Sequence, residues 1–429
     1  MKTNRRILEL KEFDYIFAGN DESNKRHSLD KESFGELEDL IYEFADKNED
    51  IYKYLTISTK RNVGKVIHVK NYVGLIQLPN GTQIQILPKI YLSNNQNKNE
   101  NDEIKRIFLK MLKSLKDFKQ INEFTSARLD ISRFNIYEIF IRMFLIELSS
   151  LVKHGLKSAY VKKEKNLNCF KGKLLVNKHI QNNFCHKERA YMLYDEFSAN
   201  RPENRLIKST LGKLRKATTL YENSKQICNF LNDFDSVDLS TNYENDFSKT
   251  VIDKNTKEYT NLIQWAKVFL MNKSFTTFSG KNGAKALLFP MEKIYESYVA
   301  QQIRRNLNPD WQISCQDKTH KLFGKFNLIT DIILRNDDRT IILDTKWKNL
   351  INDKSKNYGI SQGDMYQMFA YAKKYNAKEV WLLYPLNAET INIQPEIYKD
   401  GDIYVNIAFV NLSKEDYFKT LAKSITNKD

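Results

Sequence analysis

The sequence predicts a multidomain protein of mixed α+β and α/β class in three parts. These are a β-rich N-terminal module over 1–120, a mainly helical, basic middle region over 121–282, and an α/β core over 283–429. Three observations carry that division. Short alternating apolar runs broken by Gly64, Gly74 and Asn80-Gly81 fill 63–92. Apolar residues recur at helical spacing over 134–153 and 204–221, and from about 284 the pattern alternates helix, two strands, helix, strand. At 429 residues the chain is long enough to bury two or three cores.

In the first part, Glu36–Phe44 reads as a helix. Asn80-Gly81 between Ile76/Leu78 and Ile84/Ile86 predicts a hairpin, with both turn residues tolerating the positive φ of a type I′ turn. Ser93–Asp102 is Asn-rich and is expected to be a loop, after which Glu103–Phe118 resumes as an amphipathic helix. Phe134–Lys153 is a longer helix, whose Glu138, Arg142 and Glu147 favour a buried central element over a membrane span, with Gly155 as its stop. Residues 151–190 hold ten Lys/Arg against two Glu, interleaved with Tyr160, Phe170 and Phe184. That composition suits a phosphate-tracking surface and equally a solvated face. Asn204–Tyr221 is expected as a helix with Leu206, Ile207, Leu211 and Leu214 inward, Asp233–Phe247 as an acidic loop, and Thr256–Met271 as a last helix before the linker Ser279–Gly283.

The third part contains the chemistry. Two β-branched runs, Ile329–Leu334 and Thr340–Asp344, flank Asn336-Asp337-Asp338-Arg339, a four-residue polar loop that turns one strand back on the next. Arg335 then faces Thr340 and Asp331 faces Asp344. Alternation projects Asp331, Asp344 and Lys346 from one face, leaving Ile332, Leu334, Ile341 and Leu343 on the other. Two carboxylates so close repel by roughly 4 kcal/mol at an effective dielectric near 20, so a cation is expected between them. Oxygen ligands favour Mg²⁺ over zinc, and Lys346 is placed to act on a water bound to that ion, the arrangement phosphodiester hydrolysis requires.

An isolated Asp-x-Lys is common, so the flanks matter. The helix Glu292–Arg305 sets Glu296 at the border of its apolar stripe, with Glu292 its rival one turn earlier. On the helix Gln362–Tyr375, Gln367 and Tyr371 stack four apart. Val380–Tyr384 suits a buried strand, Ile403–Val410 is one more, and Asn352–Gly363 is a loop beside the site.

A net charge of +15 points to a polyanionic partner or to a merely lysine-rich solvated surface. Cys169, Cys185, Cys228 and Cys315 are too scattered for a zinc site or a disulfide framework. No P-loop motif occurs, so nucleotide hydrolysis is expected to belong to another subunit. No apolar stretch resembles a signal or a membrane span, and the expected location is the cytoplasm.

Asp331, Asp344-Thr345-Lys346, a glutamate on a preceding helix and Gln-x-x-x-Tyr on a following one together resemble a PD-(D/E)xK nuclease core. Within that superfamily the chain is similar to the McrC family, the nuclease subunits of McrBC-type modification-dependent restriction systems. Asn80–Ile90, His154-Gly155-Leu156 with Tyr160, Tyr194–Ser198 and Asn204–Lys208 carry that narrower likeness. The resemblance implies a Mg²⁺-dependent endonuclease cutting double-stranded DNA that carries modified cytosine. It also implies a McrB-like hexameric AAA+ partner that binds GTP, is stimulated by this subunit, and docks on the N-terminal module. Asp331 and Asp344 would hold the metal with the Thr345 carbonyl, Glu296 would bind the metal or orient a ligand, Lys346 would position or activate the water, and Gln367 and Tyr371 would touch phosphate or brace the site. A standalone nuclease of the same superfamily and a non-catalytic adaptor of an AAA+ ring are the other readings.

Overall fold

The computed structural model describes residues 7–19, 27–45, 54–61, 63–92, 100–115, 136–253, 256–271, 276–279, 285–394, 396–414 and 416–427. The chain divides into two compact units, one of residues 1–119, 125–133 and 278–429, the other of 120–124 and 134–277. The N-terminal and C-terminal stretches set out above thus share one unit.

The first unit begins with β1 (Ile7–Lys11), β2 (Tyr15–Ala18), β3 (Ser28–Leu29), α1 (Lys31–Ala45), β4 (Leu55–Lys60), β5 (Gly64–Val69), β6 (Tyr72–Gln77), β7 (Gln83–Leu87) and α2 (Glu100–Leu112). Four of these strands form a sheet in the order β3-β2-β5-β4. The β6–β7 hairpin is present, but its turn is not type I′. Gly81 N donates to Leu78 O at 3.0 Å, and only Gly81, at φ 89°, is left-handed, while Asn80 is not. The reason lies in Pro79, whose fixed φ seeds a type I turn at its second position, so glycine closes a three-residue loop. The expected loop at Ser93–Asp102 lies outside the described residues up to 99, and its end already belongs to α2.

The second unit comprises α3 (Ile136–His154), β8 (Ala159–Leu167), β9 (Lys173–Leu174), α4 (Val176–Asn183), β10 (Ala190–Ser198), α5 (Pro202–Ala217), α6 (Tyr221–Asp233), α7 (Tyr243–Lys249) and α8 (Tyr259–Met271). Gly155 at φ 82° ends α3 as expected. The helix expected over Asn204–Tyr221 is α5, which ends earlier, at Ala217, where the buried Glu138 carboxylate of α3 takes the Thr218 hydroxyl at 2.7 Å and, from the start of α6, Asn223 Nδ2 at 2.8 Å. Within the stretch expected as an acidic loop, Asn242 caps Asn245 N at 3.0 Å and starts α7. The basic tract forms a small sheet, β8-β10-β9, with Tyr160, Phe170, Phe184 and Phe197 exposed.

The chain returns to the first unit with β11 (Thr276–Ser279) and β12 (Lys285–Pro290), the expected linker between them falling mostly outside the described residues. Both strands complete the sheet β1-β7-β6-β12-β11, and Leu288 of β12 is buried with Leu8, Ile76 and Ile84. This pairing of strands some 200 residues apart is what joins the two ends of the sequence in one unit.

Next come α9 (Met291–Asn306), β13 (Gln312–Asp317), β14 (Lys321–Leu322), β15 (Phe326–Asn327), β16 (Thr330–Arg335), β17 (Thr340–Thr345), α10 (Gln362–Tyr375), β18 (Glu379–Pro385), β19 (Ile397–Asp400), β20 (Ile403–Val410) and α11 (Tyr417–Thr426). Six of them form a mixed sheet, β13-β16-β17-β18-β20-β19, in which β17, β18 and β20 run parallel. One face, with Ile333, Ile342, Val380 and Leu382, packs on Met368 and Tyr371 of α10. The alternate set, Ile332, Leu334, Ile341 and Leu343, is equally buried, and α9 contacts β16 and β17 and packs on α11. All four cysteines are free, and among the described residues no helix is long and apolar enough to cross a membrane.

Candidate active site

The strand register sets the site. Arg335 pairs with Thr340, Leu334 with Ile341, Ile333 with Ile342 and Ile332 with Leu343, which brings Asp331 opposite Asp344. The turn is fixed by Asn336, whose Oδ1 accepts from Arg339 N at 2.7 Å. Asp331 Oδ2 accepts from both the Thr345 amide at 2.8 Å and its hydroxyl at 2.7 Å. One carboxylate oxygen is therefore committed to the strand end, and Oδ1 is left for another partner.

Asp344 is only 1% exposed, and its Oδ2 lies 2.6 Å from Lys346 Nζ. Burial, then the Asp331 charge, push the Asp344 carboxyl up to about 7 despite Lys346. Burial also raises Asp331, against the hydrogen bonds from Thr345. At Lys346 burial works against the charge, but Asp344 and Asp331 outweigh it and raise the ammonium above its ordinary value. Lys346 is consequently a cation at neutral pH, not a free amine.

Lys346 Nζ also donates to Gln367 Oε1 at 2.9 Å. That fixes the Gln367 amide, because its Nε2 must then face Tyr371 OH, at 2.7 Å, and the phenol in turn donates to Ile329 O. Gln367 and Tyr371 form a brace from α10 to the start of β16, and α10 is positioned by its cap, with Asp364 N on Ser361 Oγ at 3.1 Å. Of the two candidate glutamates, Glu292 is exposed and accepts from Asn71 Nδ2 at 2.8 Å, away from the acids. Glu296 is the one that feels them: burial first, then the Asp331 charge, raise it to about 7.

Two residues beside the cluster escaped the sequence reading. Gln316, in line with Asp331 on the β13–β16 register, donates to Glu296 from a left-handed backbone at φ 54°, a conformation rare for a residue with a Cβ. Lys348 continues the alternation of Asp344 and Lys346 and meets Asp364 at 2.9 Å. A second lysine two positions on was a usable signal; Gln316 had none, because its place depends on a strand of separate sequence origin.

The acids fit a hard divalent ion. Burial raises all three carboxyls, and the Asp331 charge raises Glu296 and Asp344 further, which is the electrostatic signature of a place that favours added positive charge. Among the described residues no group of three or more His, Cys, Asp and Glu forms a ready metal cage. Mg²⁺ does not require one, since it keeps several waters and takes one or two carboxylates.

Fold and site together define a multi-sheet α/β protein carrying a buried acid–lysine cluster on a hairpin of a mixed sheet. Residues 67–385 match the family described as McrBC 5-methylcytosine restriction system component, and the chain belongs to that family. Among solved structures it is similar to a half-complex from a tetradecameric assembly of Thermococcus gammatolerans McrB AAA+ hexamers with bound McrC. The identity is 18%, the match covers 98% of this chain and 100% of that one, and the TM-score is 0.70. A second similarity is to the Thermococcus gammatolerans McrBC complex, with 20% identity, coverage of 70% and 88%, and a TM-score of 0.49. No curated protein sequence matches.

Proposed function

We propose that this chain is the DNA-cleaving subunit of a McrBC-type restriction system, with a PD-(D/E)xK core that hydrolyses phosphodiester bonds of double-stranded DNA in the presence of Mg²⁺. Its partner would be a hexameric AAA+ protein that hydrolyses GTP, is stimulated by this subunit and directs it to DNA carrying modified cytosine. The observation that carries this reading is the Lys346 ammonium, held 2.6 Å from Asp344 and 2.9 Å from Gln367 beside three acids whose charges oppose one another.

Asp331 through Oδ1, Asp344 and the Thr345 carbonyl would hold the ion, and Glu296 would orient one of its water ligands. When bound, Mg²⁺ would supply charge for the phosphate and lower the pKa of a water. Lys346 Nζ is ion-paired with Asp344 and donates one N–H to Gln367, so a further N–H is available to orient the attacking water or a phosphate oxygen. As an ammonium it would offset the negative charge that develops on the phosphoryl group. Gln367 and Tyr371 act as the brace that keeps Lys346 on this line, which gives them a positioning role in preference to a phosphate contact.

The test is cleavage of methylated and unmethylated plasmid by the purified full chain, with Mg²⁺, in the presence and absence of the AAA+ partner and GTP. Cleavage that needs partner, GTP and modified DNA is expected. Cleavage by the chain alone would favour a standalone nuclease, and none under any condition would leave an adaptor.

A further inference from the structure

Directly after Lys346 the chain places Trp347 on the opposite side of the strand end. Its indole Nε1–H is 2.9 Å from both carboxylate oxygens of Glu12, and Trp347 is 4% and Glu12 0% exposed. Glu12 is itself fixed, because its Oε1 accepts from Lys89 N at 2.8 Å and its own amide donates to Leu87 O at 2.9 Å. The Trp347 ring is flanked by Tyr295 of α9, with centroids 5.2 Å apart. A carboxylate with no exposure is costly to keep, and burial pushes this one to about 7 in spite of the Lys89 amide and the indole. A glutamine would keep one acceptor oxygen for the indole and the Lys89 amide without the cost of a buried charge, so it is the acceptor, and not the charge, that the contact requires.

We propose that Glu12 is a positioning residue for Lys346: through the Trp347 indole it clamps the end of β17 to the N-terminal segment and so fixes where the ammonium stands. The covalent path is short. Lys346 leaves the strand with its amide on Leu383 O at 3.0 Å, and the next side chain is the clamped tryptophan. Release of Trp347 frees the following turn, Lys348 N to Lys346 O at 3.0 Å, and lets Lys346 drift from Asp344 and Gln367. Calling Lys346 catalytic rests on the nuclease reading; its geometry does not.

The experiment separates the two. Full-length wild type, Glu12→Gln, Glu12→Ala and Trp347→Phe are labelled with an amine-reactive ester, and labelling of each lysine is followed by peptide mass spectrometry, alongside Mg²⁺-dependent plasmid cleavage. Lys346 labelling is expected to rise several-fold in Glu12→Ala and Trp347→Phe but not in Glu12→Gln, whose amide oxygen still accepts from the indole. Lys105, buried against Glu9, reports unfolding and should stay protected in all four. Cleavage should fall in kcat by on the order of tenfold to a hundredfold with KM for DNA unchanged, and recover in Glu12→Gln. Wild-type protection of Lys346 in Glu12→Ala overturns the proposal, as does equal exposure of Lys346 and Lys105. A wild-type chain that never cleaves refutes the nuclease reading and leaves the labelling result to decide the clamp.

Discussion

Replacing Glu296 by Gln should stabilise the ion-free protein and impair it as an enzyme. The folded pKa of Glu296 is raised from 4.5 to about 7, and at about 1.4 kcal/mol per unit this sets a ceiling of about 3.5 kcal/mol. The side chain is partly exposed and its titration is shared with Asp331 and Asp344, so about 1–2 kcal/mol is expected. The sign follows from linkage. A raised acid pKa means that the fold binds the proton more tightly than the unfolded chain does. The penalty is absent below pH 4.5, grows as pH rises to about 7, and is constant above. Urea denaturation should therefore give Glu296→Gln a higher midpoint than wild type at about pH 8 and no advantage near pH 4. Addition of Mg²⁺ should narrow or reverse the difference at about pH 8, because only the wild type offers a further carboxylate to the waters of an ion held by Asp331 and Asp344. A variant less stable than wild type at pH 8 without metal, or an equal effect at both pH values, would refute the electrostatic account of the cluster.

Two further outcomes are expected. Tyr371→Phe leaves Ile329 O and Gln367 Nε2 without their partner, and should cost about 1–3 kcal/mol in denaturation and lower cleavage without abolishing it; a variant as stable and active as wild type would show that the brace does nothing. Lys348→Ala removes a half-exposed cation from Asp364, which keeps its Ser361 cap, so less than about 1 kcal/mol of stability should be lost. Its effect should be a higher KM for DNA at unchanged kcat, and a fall in kcat alone would place Lys348 within the chemistry.

Local chemistry was legible in the sequence, and long-range pairing was not. The β16–β17 register followed from a four-residue polar loop between β-branched runs, and with it the opposition of Asp331 and Asp344. α10 and β20 have the bounds their periodicity predicted, 362–375 and 403–410. The Pro79 turn, by contrast, was misread because Asn-Gly was weighed without the proline ahead of it. β8 was hidden by Lys162, Lys163 and Lys165, which break apolar alternation in so exposed a strand, and its partner β10 ends in the polar pair Asp195-Glu196. The β6–β12 pairing, the Glu12–Trp347 contact and the place of Gln316 each depend on segments that meet only in three dimensions, and no local pattern encodes them.

The most direct measurement is Mg²⁺-dependent cleavage of modified plasmid by Lys346→Ala beside the wild type, with the stimulation of partner GTP hydrolysis recorded in the same samples. Loss of the ammonium that Asp344 and Gln367 hold should lower cleavage by a hundredfold or more on the order expected for a transition-state donor, with GTP hydrolysis untouched. Wild-type cleavage by this variant would contradict the assignment of the site.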